Sequence, residues 1–294
     1  MDRLLGVLFI ALSAVCIGTN AILARFAYAA GADPLTFLFF RFTIAAFVFI
    51  LVMTFRRMAW PSGKLLLILL FLGGLSTGIA FAFHTALIFA PVSTVIVMVY
   101  MYPALVTIIS VLQFMQPMTS SKLIALGMTL AGVILAVGFE MGGQFIGILL
   151  SFLTALSFAC YLAYGASFFN RAGAIPVAAT ITVCKAVMYG LFVGIYGIQP
   201  PEMASGWIAI CASALFSTTL GVFLFFEGLK RIDASSSSII STLEVIVSIA
   251  MAVIFLGESV TLIKVAGTAL VISAVVILAR GEYKITHSPI HKAN

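Results

Sequence analysis

The sequence predicts an all-α integral membrane protein: ten transmembrane helices arranged as two inverted five-helix repeats, with both termini inside. Three observations predict it. Of 294 residues, 63% are hydrophobic and only 8% are charged, against roughly 25% charged in an ordinary soluble domain. That much apolar surface needs lipid as its solvent. Ten apolar stretches, each near the ~20 residues that cross hydrocarbon, are divided by turn-forming residues. Residues 147–280 repeat the pattern of residues 6–138. Each copy holds five stretches, an odd number, so the second enters the bilayer from the opposite side.

The helices are expected near residues 4–28, 35–55, 65–89, 93–114, 122–139, 145–168, 177–197, 206–229, 236–256 and 262–280. Gly31-Ala32-Asp33-Pro34, Trp60-Pro61-Ser62-Gly63, Ala90-Pro91, Gln116-Pro117, Gly142-Gly143, the stretch from Gly173 to Pro176, Pro200-Pro201 and Gly257 separate them. The short third-to-fourth connection predicts a tight antiparallel hairpin. Ala27-Tyr28-Ala29 has the form of a signal-peptide cleavage site. The preceding run is too long for an h-region and Arg25 interrupts it, so the first helix is read as retained. The halves are expected to divide as 1–141 and 142–281, with a polar, disordered cytoplasmic tail at 282–294. Its His287 and His291 have no partners at ligand spacing.

Lys and Arg set the direction. With both termini inside, the cytoplasmic segments carry Arg3, Arg56, Arg57, Lys64, Lys122, Arg171, Lys230, Arg231, Arg280, Lys284 and Lys292, eleven of the 15 basic residues. The outer connections carry Asp33, Glu140, Glu202 and Glu258. The net charge of +6 is spread over short loops and forms no patch, which excludes a nucleic-acid partner. Cys16, Cys160, Cys184 and Cys211 all lie in apolar stretches without ligand spacing. No metal, cofactor or catalytic set is expected. Gly74-Leu75-Ser76-Thr77-Gly78 has the form of a nucleophile elbow but sits inside a membrane helix, where Gly74 and Gly78 are expected to allow close helix packing.

The two halves align at an offset near 141–142 residues: Gly6 meets Gly147, Ala14 meets Ala155, Pro34 meets Pro176, Ser93 meets Ser235, and Tyr102-Pro103 falls on Glu244-Val245. Pro34-Leu35 followed by Arg41-Phe42 and Ala45-Ala46, Ala86-Leu87 before Pro91-Val92-Ser93, Tyr102-Pro103, and Leu256-Gly257-Glu258 before Gly267 recur in order. Together these pieces resemble the drug/metabolite transporter superfamily, in its EamA-type ten-helix form, over almost the whole chain. Three positions depart from that pattern: Ile17-Gly18 in the first helix, Gln116 opposite Glu258, and Glu244-Val245 in the ninth helix. The resemblance implies a multi-pass inner-membrane protein that exports or exchanges small polar metabolites, often amino acids, by alternating access. It also implies a cavity lined by helices one, three, four, six, eight and nine. A small-molecule substrate and membrane lipid are the partners; monomer and homodimer both stand open. The rival readings are a non-transporting receptor or assembly factor and, behind it, an intramembrane enzyme.

Polar faces mark the candidate cavity. Ser13, Cys16 and Asn20 share one face of the first helix; Thr154, Ser157 and Tyr161, extended by Tyr164, share the matching face of the sixth. Lipid offers no hydrogen bonds, so such faces turn into the bundle. Small and hydroxylated residues there also serve plain helix packing; Asn20 and Tyr161 are the cavity candidates. In the fourth helix Tyr100, Pro103, Thr107 and Ser110 share a face, and Pro103 predicts a kink near mid-membrane. Tyr102 lies on another face and is the alternative cavity tyrosine. The ninth helix presents Ser237, Ser241, Glu244 and Ser248, with the run Ser235–Ser238 read as its N-cap and first turn.

Glu244 lies about 12 Å into the ninth helix, where a charge costs at least roughly 2.5–3.5 kcal/mol. It must be paired, hydrated or protonated, and it is the candidate to bind a substrate ammonium or carry a coupling proton. Lys185 lies at similar depth in the seventh helix. Two readings stand open: a structural ion pair with Glu244, or Lys185 receiving a substrate carboxylate while Glu244 receives its amine. Arg41 and Arg25 are expected to snorkel, Arg25 with Asp33. Glu227 is expected to reach water or Lys230. His84 is either a packing residue or a proton shuttle.

Overall fold

The computed structural model describes residues 2–90, 92–116, 118–137, 144–256 and 261–287. The ordered elements among them are helices. We label them α1 (Asp2–Ala29), α2 (Pro34–Phe55), α3 (Gly63–Phe89), α4 (residues 92–114), α5 (Ser120–Val137), α6 (Phe145–Ala172), α7 (Ala174–Tyr196), α8 (Ala204–Leu229), α9 (residues 234–256) and α10 (Leu262–His287). Among the described residues nine are long and apolar enough to cross a membrane, while α5 offers a shorter apolar run, Ser120–Ala136. Its expected end at 139 lies outside the described residues, as do Pro117, Glu140, Gly142, Gly143, Gly257, Glu258 and His291. The perimeter is apolar: Phe71, Leu112, Ile195 and Leu262 are all largely exposed, as a lipid-facing surface requires.

Capping residues fix the helix starts. The Asp33 carboxylate accepts from Thr36 N at 2.9 Å, with Pro34 in the first turn of α2. Asp33 is thus a cap rather than a partner for Arg25, which is exposed. The Asp233 carboxylate accepts from Ser236 N at 3.0 Å and caps α9. This corrects the expectation that the serine run supplies the cap: Ser235–Ser238 form the buried first turns behind Asp233. At the other end of the chain α10 continues to His287, so residues 281–287 are helical and not a disordered tail.

The packing has a two-fold pattern. If each helix of one half is exchanged for its counterpart five places on, the major contacts map onto themselves. α5 packs on α10 and α2 on α7, each with its own counterpart; α3 packs on α6 as α1 packs on α8; α4 packs on α6 as α1 packs on α9. Every one of these contacts joins the two halves. α3 makes its long contacts with α6 and α7 and only few with α4, so the expected tight hairpin does not form. Glycines permit the closest approaches: a Cβ on Gly267 would stand 2.6 Å from the Gly132 carbonyl. Gly74 and Gly78 do not play that role, because a Cβ on either meets nothing within 4 Å; neighbouring Gly73 does, against Cys184 at 2.7 Å.

Among the described residues, four helices are interrupted within the bundle. α1 breaks at Thr19, α4 at Tyr100-Met101 and α9 at Thr242. α8 winds into a π-helix over Ser213–Leu220. The α4 and α9 breaks stand at the offset that relates the two halves. In α4, Pro103 has no N–H for the Val99 carbonyl, and Met101 N turns instead to Met98 O at 3.3 Å. In α9, Thr242 N reaches Ile239 O at 3.3 Å and Val245 N reaches Thr242 O at 3.1 Å. These are tight 3₁₀ turns, which in mid-helix mark hinges.

Candidate functional site

The two symmetric breaks meet. The Thr242 turn frees the Ser238 carbonyl, and the Tyr102 hydroxyl donates to it at 3.2 Å. The neighbouring Ser241 hydroxyl donates to Ser237 O at 2.9 Å. Tyr102 is 4% exposed: its hydroxyl serves the α4–α9 joint. Tyr100 is half-buried, 6.0 Å ring to ring from Tyr102 and within electrostatic reach of Glu244. Tyr100 is therefore the fourth helix's open tyrosine.

Glu244 occupies the first turn of α9's second segment, where the helix dipole favours negative charge. α1 presses against it from one side: a Cβ on Gly18 would stand 2.8 Å from the Glu244 carbonyl, and Ser248 donates to the Gly18 carbonyl at 2.9 Å. The Glu244 side chain is half-buried and makes no ion pair or side-chain hydrogen bond among the described residues.

Lys185 and Glu244 do not pair, which removes the structural ion pair as a reading. Arg41 is within electrostatic reach of both. Lys185 Nζ lies 5.0 Å from the centre of the Phe42 ring and Arg41 Cζ lies 5.1 Å from the same ring. Such contacts stabilise a desolvated cation by about 2 kcal/mol, short of what a full counter-charge supplies. Arg41 does not snorkel: its Nε donates to Thr218 Oγ1 at 2.6 Å, on the π segment of α8. Tyr189, four residues beyond Lys185, stacks on Phe42 at 5.6 Å with 6° between planes, and its buried hydroxyl has no partner among the described residues.

The remaining candidates separate. Asn20 Oδ1 accepts from Ser213 at 2.8 Å, and Thr19 meets Ser217 at 3.1 Å, so the second segment of α1 is tied to the π segment. Ser13 donates to Gly221 O and Thr154 to Leu150 O, which makes both packing groups. Tyr161 lies in an aromatic cluster with Phe158 and Phe169 that reaches Tyr102 through Phe158. Tyr164 is exposed against Phe114, away from this cluster. The His84 side chain lies outside the described residues. Glu227 pairs with Lys230 and Arg231, each at 2.7 Å. The charged groups thus come from α2, α7 and α9, whereas the implied cavity omitted α2 and α7. Thr218 and Tyr189 are the members that sequence reasoning left out; Arg41 was expected only to snorkel.

A family model described as the EamA-like transporter family matches residues 4–138 and again residues 145–280. The chain is 27% identical to "Uncharacterized transporter YcbK" of Bacillus subtilis (strain 168), over 89% of this chain and 88% of that protein. It is 23% identical to "Uncharacterized transporter sll1319" of Synechocystis sp., over 66% of this chain and 61% of that protein. One solved crystal structure superposes with a TM-score of 0.80 at 19% identity, covering 96% of this chain and 99% of that one. At that identity the similarity is one of fold.

Proposed function

Because the chain belongs to the EamA-like transporter family, we propose that this multi-pass membrane protein is a secondary transporter that exports small polar metabolites, amino acids among them, across the inner membrane. It works by alternating access. Ten helices cross, α5 included, in two inverted repeats at 1–141 and 142–281, with both termini and the 282–294 tail in the cytoplasm. The paired breaks in α4 and α9 are the pivots about which one set of helices rocks against the other. Glu244 receives a substrate ammonium or the coupling proton; Tyr100, Ser241 and Asn20 line its approach. The aromatic cluster of Tyr161 backs this region; His84 and Tyr164 stay proposed contacts.

The observation that carries the reading is Glu244 itself. It is a carboxylate without an ion-pair partner among the described residues, set at the start of the second segment of a broken helix in the middle of an apolar bundle. Intramembrane carboxylates of that kind mark substrate and proton pathways. The names of the relatives favour transport over a receptor or an intramembrane enzyme. The test loads liposomes containing the purified protein with a mixed metabolite pool. A pH gradient of either sign is imposed and what leaves is identified by mass spectrometry. Gradient-driven loss of one compound class, reduced more than tenfold by Glu244→Gln, is the expected result. Full gradient-driven flux in Glu244→Gln would refute the proton role, and no flux from folded protein would refute transport.

A further inference from the structure

The α2–α7 contact holds a charge imbalance. Arg41 and Lys185 each lie about 5 Å from the centre of one ring, Phe42, and so are at most twice that distance apart. Both are half-buried at membrane depth. Arg41 uses Nε on Thr218; among the described residues its terminal nitrogens make no hydrogen bond, and neither does Lys185 Nζ. The Tyr189 hydroxyl, on a residue 3% exposed, has no partner among the described residues either. Lys185 and Tyr189 stand four apart on one face of α7, and Tyr189 is within electrostatic reach of Arg41. Glu244 reaches Arg41 through space without contact. One carboxylate cannot neutralise two cations, and buried cations need an anion that also takes their hydrogen bonds.

On the transport reading above, we propose that Arg41, Lys185 and Tyr189 form a subsite for a carboxylate of the transported molecule, so that this protein carries small carboxylate-bearing metabolites. The donor set suits that group. A guanidinium offers two parallel N–H donors to the two oxygens of a carboxylate. The ammonium adds a point charge that adapts to the remaining lone pairs, and the phenol adds a neutral donor. Glu244, which pairs with neither cation, is left for whatever positive group the substrate carries, or for none.

The test measures binding and flux on the full chain. Purified protein is melted with matched probes, each acid beside its primary amide: leucine and leucinamide, lactate and lactamide, malate and its diamide. Proteoliposomes carry the same compounds. We expect at least one acid to raise Tm where its amide does not, and that acid to be released. Lys185→Gln should weaken both effects more than tenfold, Lys185→Arg should recover them, and Tyr189→Phe should weaken binding several-fold. Gel filtration of each variant establishes that it is folded. Amides that bind as well as acids, or acids that bind Lys185→Gln as well as wild type, would overturn the subsite. Release confined to compounds that lack a carboxylate would overturn it and leave transport standing. No release of any compound by folded wild-type protein would fail the transport reading and the subsite with it.

Discussion

Gly18→Ala tests whether the break in α1 is held in place by contact with α9. The added Cβ would stand 2.7 Å from Val247 Cβ and 2.8 Å from the Glu244 carbonyl oxygen, where ordinary contact begins at 3.4 Å. One obstacle is backbone, so no rotamer change relieves it. The two helices must part by roughly 0.6–0.7 Å, the shortfall between those distances. Overpacking of this size costs about 1–3 kcal/mol. At ~1.4 kcal/mol per factor of ten, the packed arrangement loses roughly 5- to 150-fold in population against any state in which α1 and α9 stand apart. The assay is thermal melting of the purified protein together with flux of whichever compound it carries. The expected result is a Tm lowered by several degrees, at about 2–4 °C per kcal/mol, and a changed flux. Gly74→Ala is the control: its Cβ meets nothing within 4 Å, and alanine favours helix by up to ~1 kcal/mol, so its Tm should hold or rise. Equal melting and equal flux for Gly18→Ala and wild type would refute the reasoning.

Tyr102→Phe removes the donor to the Ser238 carbonyl and should cost about 0.5–1.5 kcal/mol. Hydrogen exchange at Thr242 and Leu243 should rise while distant amides keep their protection; unchanged exchange would detach Tyr102 from the α9 turn. Lys122, 4% exposed, pairs with Asp233 at 3.0 Å. Lys122→Met should cost about 2–3 kcal/mol, less than a fully buried pair because Asp233 keeps access to water. Adding Asp233→Asn, which still caps α9, should restore part of the lost Tm. A double variant that melts below Lys122→Met would show that the pair is not what Lys122 contributes.

The apolar stretches were legible because lipid imposes one rule on every residue of a span: the backbone bonds internally and the exterior is apolar. Proline was equally plain, and Pro103 announced the α4 break. The matching break at Thr242 was not legible, since nothing between Ser237 and Val245 forbids helix. It is stabilised locally by the Thr242 hydroxyl donating to Ile239 O at 2.6 Å, a competition with the backbone that hydroxyl residues offer in many places and win in few. Depth could be counted along a helix, which set Glu244 and Lys185 at one expected level. Azimuth could not, and whether the two side chains meet depends on how α7 and α9 are rotated. The same limit explains Gly74 and Gly78: their spacing makes a smooth stripe, but only the fold decides that Gly73 faces a neighbour. The serine run drew the cap assignment because four capping residues in a row outweighed one aspartate. Asp233 takes the position because its carboxylate also meets Lys122.

The π-helix of α8 gives the chain slack in its length. Widening the coil over Ser213–Leu220 accommodates about one residue more than α winding would. Deleting an outward-facing residue there, Leu215 or Phe216, would rewind the segment to ordinary pitch. Ala204–Ala212 and Gly221–Leu229 would keep their present facing. The same cut in α3, which has no such segment, would turn everything beyond it by about 100° and put core residues into lipid. What the shortened α8 would forfeit is local: the Thr218 bond to Arg41 and the Ser217 bond to Thr19. Single-residue length variation among related chains should therefore collect in this stretch of α8, and the chains that have lost the residue should be those that hold Arg41 differently.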